Sequence, residues 1–252
     1  MDMLNGGCIV GQETKLKYQI CIFGDFSKYG ATEDNLRKCF EGFFKFQMLP
    51  NQIQEFNPGV GETQNRISLQ SIGTGIAVNI LSDRVDIVAV PLPGSPASKI
   101  TMDQFTQAAL PVAEELIKIF PAAVNRVGVV QESFLSPLPV DQLGAVRDKF
   151  LGEKLPFARG LPTNEWNIRD VVLAEVVGIP SNLIYALARV KAQIGDNRGL
   201  QEQESHHLML DINTSPVHGV MLRDFSIIRT FVEQALVAMN NMRSDVLGRI
   251  YG

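Results

Sequence analysis

Three histidines and an aspartate fall within the stretch SHHLMLDINTSPVHG at positions 205–219, namely His206, His207, Asp211 and His218. Imidazole nitrogens beside a carboxylate are the donor set of a zinc centre, and a histidine is also the commonest general base. The test is whether the spacing lets these groups meet. LMLDI alternates as a β-strand does, which places His207, Met209 and Asp211 on one face and His206, Leu208, Leu210 and Ile212 on the other. His207 and Asp211 are then roughly 13 Å apart at about 3.3 Å per residue, whereas a metal–ligand bond is only about 2.0–2.2 Å. Convergence needs His218, or a residue from another strand, to fold back toward one of them. The reading adopted is a central strand with histidines near its solvated start and Asp211 meeting a neighbouring group or solvent. A metal-assisted hydrolase using His206 or His207 with Asp211 and His218 is the alternative, and no metal or cofactor is expected.

Other chemical motifs are weak. NPGVGETQ and SIGTGIAVN each contain G-x-G, but a strand follows both, so neither offers a helix N-terminus to a phosphate. No G-x-S-x-G elbow is present, and Cys8, Cys21 and Cys39 are too widely spaced for a C-x-x-C pattern. The chain carries a net charge of −4 over 252 residues, and its Lys and Arg are scattered in pairs such as Lys15/Lys17 and Arg189/Lys191. Nothing here would gather a nucleic-acid backbone, so no nucleic acid is expected as partner. No apolar run approaches the 18–20 or so residues of a membrane helix. The start lacks the basic and apolar regions of a signal peptide, and the reading is a cytoplasmic protein with free thiols.

The elements that would position these residues follow from periodicity. KYQICIFGD alternates as a strand, and TEDNLRKCFEGFFKF reads as a helix capped by Thr32, with Leu36, Phe40 and Phe43/Phe44 inward. NRISLQS and the pair GIAVNIL and RVDIVAV are strands, the last two joined as a hairpin across Ser82-Asp83. Thr101 and Gln104 form a capping box before a helix lined by Phe105, Ala109, Val112, Leu116 and Ile119, with Pro111 implying a kink or a late start. A strand over NRVGVVQESFL and a short helix with Leu143, Val146 and Phe150 inward come next. NIRDVVLAEVVG puts Val171, Leu173 and Val177 on one side of a strand; residues 181–194 fit both periods, and strand is preferred. Trp166 before them reads as core. From Asp224 to Arg249 a helix of about 25 residues, some 37 Å long, carries a stripe of Ile228, Phe231, Ala235, Met239, Met242 and Val246.

The expected fold is α+β: two similar layers or subdomains, each a mostly antiparallel sheet with a long helix on one face. The divisions are a flexible lead-in over 1–15, an N-terminal half over 16–151, a linker over 152–166, and a C-terminal half over 167–252.

LMLDINTSP, the polar turn and the closing helix LRDFSIIRTFVEQALVAMNNMRSDVLGRI resemble the end of a sporadically distributed bacterial family of about this length, without an established activity. The similarity extends in outline over residues 65–252 and is specific over the last 45. KYQICIFGDFSKYG departs from the family, and the resemblance carries over no catalytic residue. It implies an accessory part of a defence or toxin–antitoxin locus. The function expected is a non-enzymatic binding or assembly protein, whose surface is the C-terminal helix or an uncovered sheet edge and whose partner is another protein or a second copy. A homodimer through the helix stripe fits its length. A small-molecule binder seated near Trp166, between the halves, is a third possibility.

Overall fold

The computed structural model describes residues 13–57, 61–92, 94–135, 138, 140–154, 156, 159, 163–196, 199–215 and 224–252. Among these residues nine strands run as β1 Glu13–Gly24, β2 Met48–Asn57, β3 Glu62–Ser71, β4 Ile76–Ile80, β5 Arg84–Ala89, β6 Val124–Leu135, β7 Asn167–Val176, β8 Ile179–Asp196 and β9 Gly199–Thr214. Four α-helices accompany them among the same residues: α1 Glu33–Phe43, α2 Met102–Ile119, α3 Val140–Leu151 and α4 Phe225–Tyr251. The protein is α+β, as its alternating periods indicate.

The strands form one antiparallel sheet in the order β2-β3-β4-β5-β1-β6-β9-β8-β7. This corrects the expectation of a separate sheet for each half. β6 is the reason: it bonds β1 on one side and β9 on the other, so both halves share a ladder and a single buried cluster. Residues 181–196 are strand, paired to β9 throughout and to β7 as far as Ala188.

Because directly opposed residues in an antiparallel ladder share a face, register gives the two faces at once. Val78, Ile87, Ile20, Val129, Ile212 and Leu183 lie in one row across six strands. This face is covered by the helices. α2 packs on β1 and β5, with Phe105 5.9 Å from Tyr18; α4 packs on β6, β7 and β9; α1 leans on α2 and β2, and α3 on α4. The adjacent row on the opposite face reads Asn79, Asp86, Cys21, Gly128, Asn213 and Asn182. Polar side chains there bond along the sheet, with Asn182 Nδ2 donating to Asn213 Oδ1 (3.0 Å) and Asn213 Nδ2 to Asp211 Oδ1 (2.9 Å).

Helix starts follow their caps. Thr32 Oγ1 accepts from Asn35 N, Thr101 and Gln104 close the full capping box, and Asp224 Oδ1 accepts from Ser226 N. α2 begins at Met102 and continues through Pro111 to Ile119. The stripe of α4 is consumed inside the chain: Ile228, Phe231, Val232, Ala235 and Met239 are at most 1% exposed, and Val246 7%. Each such large side chain contributes about 1.5–3 kcal/mol on burial. The apolar surface expected to support a homodimer through this helix therefore lies against the protein's own sheet. In α1 the aromatic face is rotated from the expected one. Cys39 and Phe43 are buried, while Phe40 and Phe44 stack on each other at 5.6 Å in the open, 50% and 62% exposed.

Candidate functional site

β9 places the four residues that opened the chemical question. His206 lies on the helix-covered face, with no solvent exposure and its ring 5.4 Å from that of Trp166. Neither Nδ1 nor Nε2 has a hydrogen-bond partner among the described residues. Burial, aided by the charge of Arg189, pushes its pKa down to about 4, so the ring is neutral at ordinary pH. The expectation of a solvated start to the strand is thus corrected for His206. Trp166 is core, 7% exposed.

His207 occupies the opposite face. Its Nε2 is 3.4 Å from Glu132 Oε2, Lys17 pairs with the same carboxylate, and Phe134 meets the imidazole edge-on. The hydrogen bond to His207 and the Lys17 ammonium hold Glu132 down at about 2 against the opposing effect of burial. Asp211 shares that face but bonds Asn213, and burial raises its pKa. His206 is therefore separated from His207 and Asp211 by the sheet itself. His218 lies outside the described residues, among which no group of three His, Cys, Asp or Glu side chains could hold a metal ion.

A different feature stands at the rim. β7 is an edge strand, hydrogen-bonded among the described residues to β8 alone. Val171, Val172 and Leu173 are consecutive, so they point to both faces, and they are 40%, 50% and 77% exposed. A two-residue turn closes the β7–β8 hairpin, with Val177 (φ 54°) and Gly178 (φ 70°) both left-handed. That turn matches strand twist and fixes register.

The phase of the ladder says which backbone groups remain. Arg189 N donates to Trp166 O (3.1 Å), which makes Trp166–Arg189 a hydrogen-bonded pair. Alternation then gives the bonds to β8 to Ile168, Asp170, Val172, Ala174 and Val176, and turns the N–H and C=O groups of Arg169, Val171, Leu173 and Glu175 outward. In agreement, Val171 N–H is taken up by the Asp170 carboxylate at 2.9 Å, off the ladder. The strand holds no proline, lysine or bulge.

A row of outward backbone groups flanked by apolar side chains is a template for another strand. The sequence signal for it was available: DVVL places three apolar residues in succession, which a strand with one covered face has no use for.

No family model matches the chain, and no curated protein matches it. No helix among the described residues is long and apolar enough to cross a membrane.

Proposed function

We propose that this chain is a cytoplasmic binding or assembly protein that acts by protein–protein contact, without a catalytic step of its own, and that β7 is its docking edge. The observation that carries the reading is the run Val171-Val172-Leu173, exposed on both faces of a strand whose outer backbone groups face outward. The stripe of α4 is already used within the chain, which leaves the edge as the surface. A partner strand would gain main-chain hydrogen bonds along Arg169–Glu175 and apolar contacts from Val171 and Leu173 on one face and Val172 on the other. The setting implied by the resemblance, an accessory role in a defence or toxin–antitoxin locus, belongs to the same proposal.

The test is a comparison of the native chain with Val171→Pro and Leu173→Lys variants as bait in the native host, followed by hydrogen exchange on the purified complex. A partner that binds the native chain, is lost from both variants and slows exchange of the Arg169–Glu175 amides supports the edge. A partner that binds all three chains equally overturns it.

A further inference from the structure

The occupant of the edge can be named from the edge itself, on the footing that β7 is where docking occurs. We propose that a second copy of this chain pairs with it, β7 running antiparallel to β7 of the copy about a twofold axis through Val172.

Three properties of the strand meet in that register. The first is hydrogen bonding. Only residues whose backbone groups face outward can exchange bonds across a new ladder. An axis through Val172 opposes Val171 to Leu173 of the copy and Arg169 to Glu175 of the copy, and all four turn outward. The second is charge. Arg169 and Glu175 form no ion pair within 4 Å among the described residues, the Arg169 charge reaching Asp211 only at a distance, and the register opposes each to the other's counterpart, giving two cross-strand ion pairs related by symmetry. An axis at Val171 places Arg169 opposite Leu173, and one at Leu173 places Glu175 opposite Val171; both lose the two ion pairs. The third is apolar cover. Val171 and Leu173 face each other on the open side, and the two Val172 side chains meet at the axis on the side of the helices, where non-hydrogen-bonded neighbours approach most closely.

One contact in the free chain competes: Asp170 must release the Val171 N–H. A twofold interface of this kind is self-complementary and closes at two copies, which removes the exposed edge.

The test uses the full chain, with sedimentation over a wide concentration range. The native protein should be a dimer. Arg169→Glu alone and Glu175→Arg alone each put like charges at both symmetric positions and should weaken dimerisation about tenfold or more. An equimolar mixture of the two variants restores both ion pairs in a heterodimer and should recover native affinity. Both side chains are exposed, and unfolding curves matching the native chain at dilutions where each is monomeric establish that each variant is folded. A native chain that is monomeric throughout overturns the second copy as occupant, and the bait comparison then judges the edge against other proteins. A dimer indifferent to both variants, or two weakened variants that do not rescue each other, overturns the register.

Discussion

The sheet ends in two edges that are treated differently. β2 exposes apolar side chains too, with Leu49 45% and Phe56 63% in the open. Its backbone, however, lacks two of the outward N–H donors a newcomer would use. Gln52 N–H turns outward and is taken by Asn51 Oδ1 at 2.8 Å, so Pro50, two residues earlier, also faces out, with no N–H to give. β7 has neither a proline nor a polar run, and a single carboxylate, that of Asp170, stands in the way. Exposed apolar side chains are common on any surface. What separates a guarded edge from a receptive one is whether its outer amides are already spent.

The strongest way to break this contrast is to give β7 the guard that β2 has. Val171→Pro removes an outward N–H while sparing every bond to β8, and should raise the dimer dissociation constant about a hundredfold or more by sedimentation, leaving the monomer folded. The converse change, Pro50→Val combined with Asn51→Ala, opens β2, and assemblies should then grow past the dimer with rising concentration. If that double variant stays dimeric, the side chains of Gln52 and Gln54, not the backbone, guard the edge.

A change in the middle of the sheet should alter stability and leave assembly alone. His206→Leu removes a buried ring with two unpartnered nitrogens and should gain about 1–3 kcal/mol in urea unfolding. It should also flatten the pH dependence. The folded-state pKa of His206 is about 4 against an ordinary 6.5, so below about pH 6.5 the unfolded chain binds the extra proton. The stability that depends on a neutral ring is complete above that pH and drains away as pH falls toward 4 in the native chain, but not in the variant. The smallest effect sharpens β7 itself: Asp170→Ala frees the Val171 amide and should tighten the dimer about two- to fivefold.

Much of the secondary structure was legible because it depends on neighbours in sequence. The caps at Thr32, Thr101 and Asp224, the hairpin at Ser82-Asp83 and the stripe of α4 all lie within a few residues of what they act on. The parity of His206 and His207 was legible for the same reason. Three things were not. β2 carries no alternation, since neither its faces nor its outer edge is fully buried, so Met48–Asn57 sends no periodic signal. The union of both halves rests on β6 pairing with β9, Phe134 meeting His207 some seventy residues later, which no local pattern encodes. The depth of His206 depends on Trp166 arriving from the segment before β7. The Val171-Val172-Leu173 run was visible as letters, but alternation alone assigned Val171 and Leu173 to one side and gave no hint that the other side was open as well.

The strand order also sets a schedule. β7 and β8 leave the ribosome before β9, yet β9 is the strand that ties them to β6. Until it arrives, the β7–β8 hairpin has no place in the sheet, and both of its long sides are unpaired. The interval is short in residues, since β9 follows β8 almost at once, with residues 197 and 198 between them. A nascent chain that stalls there presents the same apolar strand to neighbouring nascent chains on the same message, so the edge proposed for assembly is also a hazard during synthesis.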